Sequence, residues 1–252
     1  MKNQYFGDIG DYKKFSLLKI LSKNKSFKTC VCWLKTSDDG SNDGKFINYL
    51  KEPSKWKEYD HEIYDLLREA VLEKEERNLD IIEKSLLLPD ITFYSEILTD
   101  DSKARSTYFK NLWDSCVDRN LIFFDPDNGI EVKSVKHGNK GSEKYLYWDE
   151  IKTAYKKGYG LLIYQHFPRK ERDAYIRDLS LKIMDKLNIN SVFGIRTPHA
   201  AFFLVPRPEQ ISEATLCMQD YSKIWNEHVK ISIHDKEKYE YIKTLKDLYD
   251  LF

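Results

Sequence analysis

Residues 121–129 read LIFFDPDNG. Leu121, Ile122, Phe123 and Phe124 form a short, wholly apolar run, the pattern of a strand buried on both faces. Asp125-Pro126-Asp127-Asn128-Gly129 follows at once. Pro, Asp, Asn and Gly are turn residues, each for its own backbone reason, so the strand stops at Phe124. Two carboxylates and an amide therefore stand at the end of a buried strand. Open parallel sheets bind their ligands outside the carboxyl ends of strands. Asp125, Asp127 and Asn128 are accordingly candidate catalytic residues.

Downstream, the same alternation recurs. A loop containing Gly138 and Gly141 leads to a helix over 148–157, which Gly158 and Gly160 break. A strand over 161–164 ends in QHFPR, and a helix over 170–187 follows. Strands over 191–195 and 201–205 follow, with RTPHA between them. His166 after the second buried strand is a candidate donor to a leaving group. His199 stands at an equivalent edge.

Upstream, Phe15, Leu17, Leu18 and Leu21 predict a helix over 11–22, with Asp11 as its cap. Asp8 and Tyr5 are placed to reach the sheet's carboxyl edge. A strand over 29–34 precedes the polar loop TSDDGSNDGK at 36–45, where a metal is an option but the bidentate Glu of a calcium loop is missing. Residues 51–101 are acidic and mostly helical, with one long helix over 62–87 that Pro89 ends. A strand over 91–97 and a helix over 104–119 follow. The whole predicts an α/β fold: one Rossmann-like domain spanning 1–252, its mostly parallel sheet flanked by helices, with an acidic helical insertion at 51–101.

Composition sets the outer limits. Hydrophobic residues make up 41% of 252 and aromatics 14%, too much for an intrinsically disordered chain. No apolar run approaches the roughly 20 residues of a membrane span, and MKNQYFGDIG does not have the pattern of a secretion signal. The expectation is a cytoplasmic protein with no membrane partner. Four cysteines without metal-ligand spacing predict buried free thiols rather than a disulfide framework.

The balanced charge, 41 basic against 41 acidic residues, conceals an asymmetry. Residues 51–101 carry 7 basic and 15 acidic groups, whereas 133–172 carry 10 basic and 4 acidic ones with aromatics interleaved. Cations contact phosphates and aromatic faces stack on unpaired bases. Lys133, Lys144, Tyr145, Tyr147, Trp148, Arg169 and His199 are therefore candidate nucleic-acid contacts.

Three resemblances bear on the chemistry. LIFFDPDNG resembles the water-activating loop of the uracil-DNA glycosylase superfamily, in which Asp-Pro closes a central parallel strand; Asp125 and Pro126 match, and Asp127 stands where an aromatic usually follows. The resemblance implies a later His-bearing loop, a role open to His166 or His199. It also implies a DNA partner, no cofactor, and repair or anti-phage defence through excision of an ordinary or modified pyrimidine. DPDN also looks like the (D/N)PP(Y/F) motif of amino-methyltransferases, and the helix before the first strand is similar to the ribosomal-RNA adenine-N6 methyltransferases. That resemblance implies S-adenosylmethionine, but TSDDGSNDG lacks the close glycines that cradle it. Asp125 or Asp127 with Glu131-Val132-Lys133 resembles the PD-(D/E)xK nuclease pattern, at a spacing too short for the intervening hairpin.

Hydrolysis of an N-glycosidic bond needs an acidic group near a sugar of oxocarbenium character, a donor for the base, and a cationic aromatic surface. The expected roles are Asp127 or Asp125 on water and the sugar cation, Asn128 on the base edge, and His166 on the leaving base. Tyr145, Tyr147 or Trp148 would stack, with Lys144 and Arg169 on phosphates. A non-enzymatic nucleic-acid-binding module on the same fold is the competing class. It predicts that charge reversal within 133–172 abolishes activity, whereas loss of Asp127 or His166 does not.

Overall fold

The computed structural model describes residues 1–40 and 44–238. Helix α1 (Ile9–Lys23) precedes β1 (Thr29–Cys32). The acidic stretch supplies α2 (Pro53–Trp56), α3 (His61–Arg68) and α4 (Asp80–Lys84), followed by β2 (Thr92–Tyr94) and α5 (Ser102–Ser115). Next come β3 (Leu121–Phe124), a minor pair β4 (Gly129–Ile130) and β5 (Tyr145–Leu146), α6 (Trp148–Lys156) and β6 (Gly160–His166). Helix α7 (Arg172–Leu187), β7 (Ser191–Arg196), β8 (Ala200–Val205), α8 (Ile211–Ile224) and β9 (Lys230–Asp235) complete the order.

The main sheet has seven strands in the order β2-β1-β3-β6-β8-β7-β9. Strands β2, β1, β3 and β6 are mutually parallel. Strand β8 is antiparallel to both β6 and β7, and β9 is antiparallel to β7. The expected Rossmann-like sheet is present, and the departure from parallel order has a local cause. Thr197-Pro198-His199 alone joins β7 to β8. A parallel return needs a crossover of a dozen or more residues, so this link makes a hairpin whose second strand enters between β6 and β7.

Alternation along the buried strands builds two cores. Leu121 and Phe123 point to the face covered by α1, α3 and α8, where Val31, Leu162 and Phe202 join them. Ile122 and Phe124 point to the opposite face, with Cys30, Leu161 and Phe203, under α5, α6 and α7. The strand is apolar at every position because both faces are covered. Residue 125 falls on the α1 side by the same period of two, and this places its carboxylate.

Helix α1 is buried nearly all round, because the acidic stretch and α8 close over its outer side. Lys19 Nζ binds Asp60 and Glu62 at 2.7 Å each, and Tyr12 donates to the Trp56 and Asp60 carbonyls. The acidic region thus forms the outer layer over α1. The long helix expected over 62–87 is broken: a π-turn occupies Glu69–Glu73, Glu75 adopts a left-handed φ of 53°, and the next helix, α4, ends before Ser85, short of Pro89. Residues 73–77 read EKEER, with no apolar face to hold a helix against the core. Arg77 instead reaches the carbonyls of Phe6 and Gly44.

The cysteine expectation fails for one pair. Cys30 in β1 and Cys116 after α5 form a disulfide, with Cα atoms 5.9 Å apart, while Cys32 and Cys217 are buried and free. α5 packing over β1 brings together residues 86 positions apart, which spacing along the chain does not reveal. Among the described residues no helix is long and apolar enough to cross a membrane.

Candidate active site

The carboxyl ends of β3 and β6 and the β7–β8 hairpin open into a cavity of about 290 Å³. Asp125, Asp127 and Asn128 line it after β3, His166 lines it at the end of β6, and His199 lines it from the hairpin. The register explains the meeting: Phe124 pairs with Ile163, so the chains leave the sheet side by side. α1 supplies the other wall through Asp8, Asp11 and Lys14.

The centre of this wall is a buried cluster. Lys14 Nζ donates to Asp11 Oδ1 at 2.8 Å and to Asp125 Oδ2 at 2.7 Å. Burial opposes the charge on Lys14, yet the two carboxylates hold its pKa above the ordinary lysine range. Asp11 is only 3% exposed, and among the described residues its Oδ2 has no hydrogen-bond partner. Burial pushes its pKa up to about 6, against the pull of Lys14. One ammonium thus serves two carboxyl groups in different surroundings, the arrangement that separates acid–base roles.

Asp127 is engaged elsewhere. The Met1 amino group lies 2.8 Å from Oδ1, and Thr36 donates to Oδ2 at 2.9 Å. The same amino group donates to the carbonyls of Trp33, Leu34 and Asp125, tying the ends of β1 and β3 together. The two aspartates have different partners: Asp125 binds Lys14, and Asp127 braces the strand ends. Asp11 does not cap α1 as expected. Asp8 does, accepting from Gly10 N at 2.9 Å.

Gln165 holds the DPDNG turn. Its Oε1 accepts from Ile130 N at 2.8 Å, and its Nε2 donates to the Asn128 carbonyl at 3.2 Å. Gly129 sits between them at φ +102°, where a Cβ would lie 2.4 Å from that Oε1. Gly129→Ala is expected to cost about 1–3 kcal/mol through strain and the displaced amide. A urea midpoint equal to wild type would remove Gln165 from this role.

The remaining sequence candidates lie outside the cavity lining. Tyr147 is 2% exposed; its hydroxyl donates to the Val135 carbonyl, and the Arg105 guanidinium stands 4.8 Å from its ring. Trp148 is buried in the second core. Both rings already have packing partners: the His137 imidazole stacks on Tyr147 with centroids 3.7 Å apart, and Trp148 packs in the second core with Lys182 over its ring. Tyr145 gives its carbonyl to Arg105, which also grips Glu150 at 2.6 Å. Lys133 and Arg169 are exposed and Lys144 is half-buried, all away from the cavity.

Sequence reasoning missed Lys14, the role of Asp11, and Gln165. A signal existed for the first two: residues 11, 14, 15 and 18 share one helical stripe, so a charged pair lies on the face that Phe15 and Leu18 bury. Among the described residues, no group of three or more His, Cys, Asp or Glu side chains is placed to hold a metal. The TSDDGSNDGK loop lies partly outside the described residues.

Fold and site together define an α/β protein with a carboxylate–lysine–carboxylate cluster at the carboxyl edge of its sheet. No family model and no curated protein matches the chain. Among solved structures it is similar to protein LPL1258 from Legionella pneumophila str. Philadelphia 1, of the family model DUF519. The TM-score is 0.43 at 13% identity, over 91% of this chain and 97% of that one.

Proposed function

We propose that the protein hydrolyses the N-glycosidic bond of a nucleotide whose base enters the cavity, as a DNA glycosylase. The observation that carries this reading is the Asp11–Lys14–Asp125 cluster lining the hollow that His166 shares. At about 290 Å³ the cavity is at the lower limit of small-molecule sites, a fit for one base with its sugar.

In this scheme Asp11, with its pKa raised to about 6 and an Oδ2 without a hydrogen-bond partner among the described residues, takes a proton from water. The water oxygen bonds to C1′ as the bond from C1′ to the base nitrogen breaks. The Asp125 carboxylate, held by Lys14, stabilises the oxocarbenium character of the sugar. His166 donates to the departing base: Tyr164 Oη lies 3.4 Å from Nδ1, and a hydroxyl donating there leaves the ring proton on Nε2. The base leaves as an anion held by the His166 hydrogen bond and takes a proton from solvent, Asp11 returns its proton to solvent, and the products are a free base and an abasic sugar. Water activation therefore passes to Asp11 from Asp127 or Asp125, the two sequence candidates.

Methyl transfer to an exocyclic amine is the second reading. What favours it is the reversal of strand order between β1 and β3, the place where such sheets bind nucleoside cofactors, beside Asp125-Pro126. The residues present do not fit a cofactor there, because Met1 and Lys2, 3% and 2% exposed, fill the space between the two strand ends. Incubating the protein with modified and unmodified DNA, then cleaving with alkali, is expected to give abasic strand breaks. Absence of breaks on every base, with binding of radiolabelled S-adenosylmethionine, would replace the first reading with the second.

A further inference from the structure

Phe46 is 63% exposed, an unusual position for a phenyl ring that lines a cavity. Its backbone is fixed. Phe46 N donates to Asp8 Oδ2 at 3.0 Å, and Ile9 N donates to the Phe46 carbonyl at 3.0 Å. Asp8 therefore caps α1 with one oxygen and pins Phe46 with the other. Arg77 adds a further anchor through the Gly44 carbonyl. The exposed ring also has a partner: the imidazole of His199 lies parallel to it, with centroids 5.0 Å apart and planes at 14°. Burial, followed by the nearby Lys13 charge, lowers the His199 pKa, which favours the neutral, stackable ring. Two segments far apart in sequence thus converge on a flat aromatic rim that core packing does not require.

We propose that the Phe46–His199 pair is a stacking platform for an unpaired nucleobase entering the cavity. This rests on the glycosylase reading for its chemistry and assigns the substrate class: a base presented by a single strand or an extruded nucleotide. A free nucleoside offers the same flat face, so the two sources need separate arms. Stacking on one aromatic ring tolerates any base and is lost on truncation to alanine. His166 and Asn128 line the cavity beyond the rim, where an inserted base edge would meet them.

The test uses 2-aminopurine, whose fluorescence falls on stacking, placed either in a single-stranded oligonucleotide or in its free riboside. Wild type is expected to quench and bind the oligonucleotide more tightly than the riboside. Phe46→Ala should weaken binding roughly 5- to 100-fold and abolish quenching. Phe46→Trp should retain both, and His199→Phe should keep binding within about 3-fold because a flat ring remains. Phe46 is exposed, so its variants leave the core untouched. Quenching unchanged in Phe46→Ala, or none with either probe, overturns the platform. A riboside bound more tightly than the oligonucleotide overturns the assignment to nucleic acid. The readout is binding alone: a protein that quenches through Phe46 yet releases no base keeps the platform and loses the glycosylase reading.

Discussion

Asp11→Asn is expected to lower kcat for base release by about 10²- to 10⁴-fold, the usual contribution of a positioned general base. Wild-type kcat/KM should rise with pH through about 6 and then level, because the ionised carboxyl is the active form. The variant should lose that limb. Stability moves the other way. The Asp11 pKa is raised from 3.8 to about 6 in the folded protein, so its contribution is present below about pH 4 and is lost as pH rises through 6. An uncharged amide of the same shape removes that loss. It also leaves Lys14 with a single anionic partner, Asp125, instead of two. At pH 8 the variant should therefore be at least as stable as wild type while nearly inactive. Activity within about 3-fold of wild type, measured on a substrate the native enzyme cleaves, would transfer the base role elsewhere.

Lys14→Met is expected to destabilise the protein by about 3–5 kcal/mol, the cost of leaving buried charge without its partner. The methionine fills the space of the lysine stem, so cavity formation is not the cause. Asp11 and Asp125 would then face each other with no cation between them. Each would be driven toward its protonated form. The deficit should be largest near pH 8 and narrow as pH falls toward 5, and the double variant with Asp11→Asn should recover part of it. Urea denaturation across that pH range measures both. A deficit below about 1 kcal/mol, or one that does not change with pH, would mean that the lysine is not the cluster's keystone.

The candidate site was legible where chemistry followed directly on a strand end. Asp125 and His166 stand after β3 and within the last residue of β6, and both face the cavity. His199 was found for the same reason, since a short link between strands exposes its side chains at the edge. In the aromatic and basic stretch at 133–172 the structure buries Tyr147 and Trp148 and leaves Lys133 and Arg169 exposed. Tyr147 and Trp148 alternate with charges in sequence, but helical and loop geometry turns them inward, where Arg105 and Lys182 stack on them. A linear pattern of charge and ring does not tell a binding face from an amphipathic packing face. Phe46 carried no signal at all, because its position depends on a carboxylate of Asp8 that caps α1 from 38 residues away.

By itself the sequence determined the main-sheet strands and the helices between residues 121 and 205, the α/β class, and the residues that leave β3 and β6 at their carboxyl ends; α8 and β9 were not legible in it. The legible features are local: hydrophobic period, turn chemistry and run length are set within a few residues. Tertiary structure decided which strands became neighbours and how the β7–β8 hairpin entered the sheet. It paired Cys30 with Cys116, and it made Lys14 the partner of Asp125, 111 residues away. Only packing settles such matters, because an ammonium becomes a fixed element between carboxyl groups once helix, sheet and outer layer have together excluded water from around it.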